Sequence, residues 1–534
     1  MDDTGIFSLS TPLMIYFFLR SRRFHLVLLV LHAAGLASWL FLPTVRKAPM
    51  IEVALVDEHT IDTLSHPTPS EFAQMKLDEL LSRQSTTLAQ AEARYVLKSG
   101  RSTPTGFDKW FEFARENECL IDEYEQIYRD FEPFYQLAQE HPSHFQRMID
   151  KGRYMLLEEM KGLRTKQQAA VGMAAINITN GKLQMPPYQA TTYSFDLPMR
   201  LRSFTHLLPD MEFLLNGRDE PRVLFNYRGH GSQQTAAEIK DATPFHNAPR
   251  PTAKFFKHQS GCNISSTAPG FLKDESDNIS FLQSSSSTDF TTDFWPLLSM
   301  TKLSPCFSDI LYPSPYHYVA SRWSMRIAED NVPWAEKKQQ LFWRGSSNGG
   351  HIFADNYHSF PRFHLIQLAR NHSELIDARM TTFDGGHCTE GCDRERVIAE
   401  YNITGKYEDL RELVLNYKYL LDISGNTFSG RFLALLGSGS LVFKSNVFEE
   451  YFDGWIRPNE HYIPVKPDLS DLVEKVEWAK AHDDEARRIQ ETGKLFRQRV
   501  VTDAQNDCYF AAVLLEWARL QSYTNGTLTS SMVF

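Results

Sequence analysis

The sequence lacks a basic surface of the kind that nucleic acid requires. Its 534 residues carry a formal net charge of −10, and no dense run of lysine and arginine interrupts that balance. Binding to nucleic acid depends on basic side chains that neutralise phosphates, so we exclude nucleic acid as a partner. The chain is longer than one ordinary hydrophobic core requires, which predicts two large lobes with accessory segments.

Cysteine is also scarce, with six residues in the whole chain. An even number is compatible with disulfides in an oxidising compartment, but the spacing does not select a pairing. His387, Cys388 and Cys392 lie close together, yet no second pair of cysteine or histidine follows at zinc-finger spacing. The sequence therefore predicts a disulfide or free thiols here rather than a metal site.

One long apolar run lies near the N-terminus. Residues 24–42 contain no charged side chain, and Pro43 ends the run. As a helix the run almost crosses a hydrocarbon core of about 30 Å. Three arginines precede it, which predicts a cytosolic tail at 1–23, a transmembrane anchor at 24–42 and a lumenal remainder.

A cleaved signal peptide is the alternative interpretation of this run. Residues 35–37 would form the cleavage site, but the apolar run continues past them to Leu42, which favours the anchor. Either interpretation makes the rest of the chain lumenal, and we expect a single-pass type II protein of the Golgi or ER membrane. N-glycosylation sequons agree with this, at Asn177, Asn263, Asn278, Asn371, Asn402 and Asn525.

The remainder divides by composition and periodicity. Residues 43–105 are polar and predict a stem with a surface helix over 71–98, and residues 106–141 predict amphipathic helices. Serine- and threonine-rich stretches between 230 and 293 predict long surface loops. We assign 106–330 to an N-terminal lobe that holds the acceptor and the base, and 331–534 to a C-terminal lobe that binds the donor.

Strands and helices alternate in the C-terminal lobe. This order predicts a parallel sheet with helices on both faces, and therefore an α/β fold. The predicted strands are 341–343, 419–423, 440–444 and 462–465. The predicted helices are 363–370, 431–436, two around 472–479 and 486–500, and a last one over 507–520 that packs back on the body.

Two segments of this lobe are typical of phosphate binding. In LFWRGSSNGG a strand leads into a glycine- and serine-rich turn at Gly345 and Ser346, where backbone N–H groups can meet a phosphate beside Arg344. The alternative is a tight turn with Arg344 in a structural salt bridge. In SGNTFSGR, Ser429 precedes a predicted helix and Arg431 lies in its first turn, where a basic residue favours an anionic partner.

A third segment supplies a candidate general base. LPDMEFLLNGRDEP contains a predicted strand at 213–215, and Asp219 follows the carboxyl end of that strand. In open α/β sheets ligands bind at that edge. The alternative is an Asp219–Arg218 pair that closes a turn.

These segments, in consistent order, resemble glycosyltransferase family 90, which includes fungal capsule-associated xylosyltransferases and animal protein O-glucosyltransferases. Further matching segments are DILYP at 309–313, KYLLDISGNTFSGRFLALLGSGSLVFK and HYIPVKPDLSDL. The resemblance extends over about residues 100 to 522. It departs from the animal pattern at Gly430, where animal members carry phenylalanine.

The resemblance implies a GT-B fold of two Rossmann-like lobes and an inverting transfer from a UDP-sugar. It implies that Asp219 is the catalytic base and that Arg344 and Arg431 hold the UDP diphosphate. Gly345, Ser346 and Ser429 complete the expected donor site. No cofactor is expected, because the UDP-sugar is a substrate, and no D-x-D element beside the donor motifs calls for a metal.

The expected reaction is, first, xylosyl transfer to a glycan hydroxyl. Glucosyl transfer to a protein is the alternative within the class. A non-catalytic lumenal scaffold that binds UDP is the alternative outside it, although the joint presence of Asp219, Arg344 and Arg431 argues against a scaffold.

Overall fold

The structure is a computed structural model. It describes residues 67–160, 172–185, 196–224, 246–247, 289–291, 293–304, 307–350, 352, 354–388, 391–406 and 408–523. The predicted anchor at 24–42 and most of the predicted loops between 230 and 293 lie outside these residues. Within the described part of the chain, no helix is both long enough and apolar enough to cross a membrane.

Helices form the N-terminal part of the described chain. They are α1 Pro69–Ser82, α2 Leu88–Ser99, α3 Phe107–Glu116, α4 Glu125–Glu140 and α5 His144–Met160. The single helix predicted over 71–98 is wrong, because the chain breaks between α1 and α2. Ser85 is buried in the break, where its backbone N–H and hydroxyl donate to the two carboxylate oxygens of Asp122, at 2.6 and 2.9 Å.

A mixed sheet follows these helices. It contains β1 Met173–Thr179, β2 Lys182–Gln184, β3 Met211–Asn216, β6 Leu298–Ser299 and β7 Ile310–Leu311, in the order β2-β1-β3-β6-β7. The pairs β3–β6 and β6–β7 are parallel, and the pairs that β1 makes are antiparallel. The predicted strand at 213–215 is confirmed within β3. The short helix α6 Leu197–Leu201 precedes β3, and the strands β4 His246–Asn247 and β5 Asp289–Phe290 pair with each other.

A second sheet is parallel throughout. Its strands are β8 Lys338–Ser346, β9 Ile376–Thr382, β10 Tyr417–Ile423, β11 Leu441–Ser445 and β12 Ile463–Pro464, in the order β12-β11-β10-β8-β9. The helices of this region are α7 Pro361–Asn371, α8 Arg394–Tyr401, α9 Leu410–Leu413, α10 Phe432–Leu436, α11 Leu472–Ala481, α12 Asp483–Arg499 and α13 Asp503–Ser522. The predicted parallel α/β arrangement is confirmed.

Both faces of this parallel sheet are buried. Alternate residues of a strand point to opposite faces, and Phe342 and Leu420 belong to one hydrophobic core while Leu341 and Tyr419 belong to another. The first of these cores continues into the mixed sheet and the N-terminal helices. The fold is therefore α/β, and its parallel sheets are consistent with Rossmann-like lobes.

The first and last helices of the described chain join parts that are distant in sequence. α1 packs along α12, although the sequence places α1 in the stem. α13 belongs to the predicted C-terminal lobe but packs on α3, α4, α5 and β3. Residues 67–534 form one compact unit, and the domain boundaries inferred from the sequence stay predictions.

Candidate functional site

The loops after β8 and β10 meet at the carboxyl edge of the parallel sheet. The Gly349 backbone N–H donates to Asn426 Oδ1 at 3.1 Å. Gly349 has a φ of 103°, and a Cβ there would lie 3.0 Å from the Gly425 carbonyl oxygen. The glycines thus let the two loops touch at the edge where α/β proteins bind ligands.

Arg362 donates hydrogen bonds to both of these loops. It is the second residue of α7 and is buried. Its Nε donates to the Ser424 carbonyl and its Nη1 to the Ser346 carbonyl, both at 3.0 Å, and Nη1 also donates to Asn348 Oδ1. Burial, together with the positive charge of Arg431, lowers the pKa of Arg362 to about 9.

Arg362 is not among the predicted site residues, although a local sequence pattern indicates that its side chain is buried. The predicted helix at 363–370 has its apolar face at Phe363 and Ile366, and an arginine directly before that face needs a buried polar partner. No motif of the resemblance drew attention to that position.

Arg431 lies at the end of the β10 loop, immediately before α10. Its Nη1 donates to the Arg344 carbonyl at 2.7 Å. Burial lowers its pKa, while the nearby carboxylate of Asp422 opposes that shift. The prediction from helix polarity needs correction, because α10 has only 5 residues and supplies little dipole. The charge of Arg431 itself is the relevant feature.

Arg362 and Arg431 are close enough for their positive charges to repel each other. Two guanidinium groups held together under desolvation favour a bound anion, because charge-assisted hydrogen bonds from both can then be satisfied. Ser429, buried in the same loop, lies near Asp422, whose pKa burial raises to about 6 although Ser429 opposes the shift. Ser346 completes the group through its contacts with Arg362.

Arg344 occupies a different environment from the one expected. Its Nε donates to Glu408 at 3.0 Å and its Nη2 to Asp377 at 2.9 Å. Its Nη1 donates to the carbonyl oxygens of Trp343 and Asp377, both at 2.9 Å. The structural salt bridge that the sequence left as the alternative describes this geometry, and the diphosphate role of Arg344 stays a prediction that these contacts do not favour.

Gly345 is also part of the strand rather than of a turn. β8 continues to Ser346, so the turn expected from Arg344 onward begins later. A Cβ on Gly345 would lie 2.5 Å from the ring of Trp343, which explains the glycine by packing. Gly345 therefore shapes the end of β8 and offers no exposed turn.

Asp219 lies in the loop that leaves β3. Asn216 shapes the start of this loop, since its Nδ2 donates to the Glu220 carbonyl at 2.7 Å and its Oδ1 accepts from the Arg218 N–H at 3.0 Å. The Gly217 N–H donates to the Gly172 carbonyl at 2.8 Å. Asp219 itself is half-buried. These hydrogen bonds thus fix the path of the loop that carries Asp219.

The end of the Asp219 loop is fixed by Asp309. The carboxylate of Asp309 accepts the backbone N–H groups of Arg222 and Val223, at 3.0 and 2.9 Å. The residue is fully buried, and burial raises its pKa although these bonds oppose the shift. Asp309 is therefore a positioning residue for the loop that carries Asp219.

The segment after Asp309 connects Asp219 with the arginine loop. Burial raises the pKa of Tyr312, Arg200 opposes the shift and the negative charge of Asp219 adds to it, so these three side chains are neighbours. A few residues on, Tyr316 contacts Gly430, next to Arg431. One short segment thus touches both halves of the candidate site.

The open question at Cys388 and Cys392 is answered by a disulfide between them. A second disulfide joins Cys119 to Cys508, which lie 389 residues apart. Sequence spacing alone selected neither pairing.

Fold and site together describe an α/β protein with a close pair of arginines at the loop edge of a parallel sheet and a carboxylate, Asp219, in a loop of the mixed sheet. Residues 316–531 match the family model described as Glycosyl transferase family 90. The resemblance inferred from the motifs is therefore confirmed.

Individual relatives carry a related name. Protein O-glucosyltransferase 2 of Danio rerio is 31% identical over 189 residues, covering 35% of this chain and 34% of the relative. Protein O-glucosyltransferase 3 of Homo sapiens is 29% identical over 190 residues, with the same two shares. Protein O-glucosyltransferase 1 of Homo sapiens is 29% identical over 247 residues, covering 43% and 58%. The chain spans about a third of the length of the first two.

Proposed function

We propose that the protein is an inverting glycosyltransferase that moves a sugar from a UDP-sugar to a hydroxyl group, on a GT-B fold. Support comes from the match to family 90 and from the names of the relatives, which are O-glucosyltransferases. Those names favour glucose as the donor sugar and protein as the acceptor. Glucosyl transfer therefore replaces xylosyl transfer to a glycan as the first candidate.

One observation supports the proposal most strongly. Arg362 and Arg431 form a desolvated cationic pair, and the segment 309–318 connects that pair with the loop of Asp219. A single displacement needs cationic groups that stabilise the leaving diphosphate and a base that accepts the proton of the acceptor hydroxyl. The site offers a group for each of these tasks.

The reaction follows from these groups. The acceptor oxygen attacks the anomeric carbon while its proton passes to the Asp219 carboxylate, since a neutral hydroxyl is a poor nucleophile. The bond from the anomeric carbon to the diphosphate oxygen breaks, and its electron pair stays on UDP. Arg362 and Arg431 stabilise the negative charge that develops there. Ser346 and Ser429 line the same donor site.

The decisive variant is Asp219→Asn. Asparagine is nearly isosteric and cannot accept the proton, so we expect turnover to fall by roughly 10²–10⁴-fold while UDP binding persists. Turnover is measured with UDP-glucose and UDP-xylose as donors, and UDP binding by calorimetry. Asp210→Asn is the matched control, because Asp210 lies at the other end of β3, where it accepts the Asn180 N–H.

Near-normal turnover in a folded, UDP-binding Asp219→Asn protein would end the assignment of the base. Wild-type protein that binds UDP but transfers no sugar to any acceptor would support the scaffold instead.

We further propose that the catalytic region is lumenal, in the ER or Golgi, behind the anchor at 24–42. The apolar run with its arginine flank, the sequons and the two disulfides support this topology. The intact protein should stay in membranes after carbonate extraction and should shift in mass on treatment with an N-glycosidase. Release of a soluble chain without glycans would contradict it.

A further inference from the structure

Tyr316 lies directly on the backbone of Gly430. A Cβ built on Gly430 would lie 2.4 Å from Cδ1 of the tyrosine ring and 2.6 Å from Cγ. Gly430 does not have a positive φ, so its backbone would accept other residues. The glycine is needed for space, because the ring of Tyr316 occupies the position of a side chain.

The ring belongs to a small aromatic wall. Tyr316 packs edge-on against Phe428 at 5.7 Å and lies 5.9 Å from the ring of Trp323. Tyr316 is half-exposed, whereas Pro315 and His317 on either side are buried. The aromatic wall of Tyr316, Phe428 and Trp323 therefore packs against the loop that carries Arg431, and the Tyr316 ring is partly accessible to solvent.

The backbone under the ring is held on both sides. The Tyr316 N–H donates to Ser314 Oγ at 3.2 Å. Asn506 Nδ2, from α13, donates to the carbonyl of His317 at 3.1 Å. These bonds fix the backbone that carries the ring, so the ring can leave Gly430 only by a change of side-chain rotamer.

The proposed reaction locates the donor sugar relative to this wall. In a single displacement the sugar lies between the leaving diphosphate and the base. Gly430 adjoins Arg431 on the diphosphate side, and Tyr312, on the same segment as Tyr316, neighbours Asp219 on the base side. The chain between these two points lines the space that the sugar must occupy.

We propose that Tyr316, seated on Gly430, forms one wall of the donor-sugar pocket and determines how large a sugar the pocket accepts. This inference rests on the proposed function. UDP-xylose and UDP-glucose test it directly, because the two sugars differ by the hydroxymethyl group on C5. Removal of the ring widens the pocket, which favours glucose, the larger sugar, further over xylose.

The test compares kcat/KM for the two donors in Tyr316→Ala. We expect the ratio of UDP-glucose to UDP-xylose to rise by about tenfold or more, the usual effect of one small group in a pocket, with UDP affinity unchanged. Tyr316→Phe keeps the ring and should keep the wild-type ratio. Tyr316→Leu, which retains more bulk, should shift the ratio less and serves if the alanine variant folds poorly. Tyr154→Ala, at an exposed tyrosine on α5, is the distant control.

A second variant tests the contact with Gly430. Gly430→Ala should lower both thermal stability and transfer, because its Cβ overlaps the ring, and Tyr316→Ala in the same chain should restore stability. An unchanged donor ratio in Tyr316→Ala that still binds UDP overturns the inference and leaves the proposed function intact. Wild-type protein that fails to bind UDP overturns the proposed function itself.

Discussion

The two site arginines, Arg362 of α7 and Arg431 of the β10 loop, are expected to bind the donor and not only to stabilise the fold. Loss of one charge-assisted hydrogen bond costs about 1.5–3 kcal/mol, which corresponds to roughly a ten- to hundredfold loss of UDP affinity. We expect this for Arg431→Ala and for Arg362→Ala, measured by calorimetry on folded protein. Unchanged affinity in both variants would mean that the phosphate site lies elsewhere.

Arg344→Ala gives the contrasting result. Its guanidinium is engaged by Asp377, Glu408 and two carbonyl oxygens, so removal takes away the buried cation that the two carboxylates share. We expect the free energy of unfolding to fall by about 3 kcal/mol, and the protein that remains folded should bind UDP as the wild type does. A large loss of UDP affinity at normal stability would restore the diphosphate role that the motif suggested.

His144 makes stability depend on pH. It is buried, its Nε2 lies 3.0 Å from the Phe294 carbonyl, and its Nδ1 has no hydrogen-bond partner among the described residues. Burial lowers its pKa to about 4, whereas an unfolded histidine has a pKa of about 6.5. The unfolded chain therefore binds the extra proton first, and stability is lost as the pH falls from about 6.5 toward 4.

Glutamine at this position keeps a donor toward Phe294 but cannot take up the proton. In His144→Gln the loss of stability between pH 7 and pH 5 should be smaller by about 2 kcal/mol, measured by urea unfolding at both values. His206→Gln, at an exposed histidine, is the matched substitution. Equal pH dependence in the wild type and His144→Gln would contradict the argument.

Single residues of the site were predictable where a local pattern marks them. The apolar run at 213–215 predicts a strand, and Asp219 lies in the loop that follows this strand, β3. Arg344 sits in an equally suggestive pattern, but its partners Asp377 and Glu408 come from other parts of the chain. Which partners a buried charge acquires depends on tertiary packing, and one sequence contains no record of that.

Helices and strands were predictable from the sequence where the spacing of apolar residues is regular. The helix predicted at 363–370 is α7, and the strand predicted at 419–423 lies within β10, which is buried on both faces. The break between α1 and α2 was missed although Ser85, Thr86 and Thr87 mark it, since such residues favour caps over helix interiors. Thr87 is in fact the N-cap of α2, with its hydroxyl accepting from Gln90.

The helix α1 is expected to stabilise the donor part of the fold. Leu77 is buried in the main core and Leu81, one turn later, is 39% exposed. Leu77→Ala should lower the free energy of unfolding by about 2–4 kcal/mol, and Leu81→Ala by less than about 0.5 kcal/mol. Urea unfolding of the two variants measures the difference. Equal, small effects would mean that this helix is a spacer, as the stem interpretation implies.

At the scale of the whole molecule, the last helix returns to the first ones. Trp517 Nε1 donates to the Glu212 carbonyl of β3 at 2.9 Å, and Glu516 accepts hydrogen bonds from Tyr95 and Tyr135 of α2 and α4. The sequence predicted that a last helix packs back on the body, but not where. Contacts between residues about 400 positions apart follow from topology, which local patterns do not specify.

The Cys119–Cys508 disulfide reinforces this return, and its effect on stability should exceed that of the other described disulfide. A cross-link restricts the unfolded chain more when it closes a longer loop, and its residues are 389 apart, against 4 for Cys388–Cys392. The chain-entropy account gives about 6 kcal/mol for the long loop and about 2 kcal/mol for the short one. Replacement of both cysteines of a pair by alanine, followed by urea unfolding, tests this for each pair.

Because Cys508 is fully buried within α13 and the Trp110 indole N–H donates to its carbonyl at 2.9 Å, alanine there leaves the backbone contact in place. A larger loss in the Cys388/Cys392 variant would show that native packing, and not chain entropy, decides what each bridge contributes.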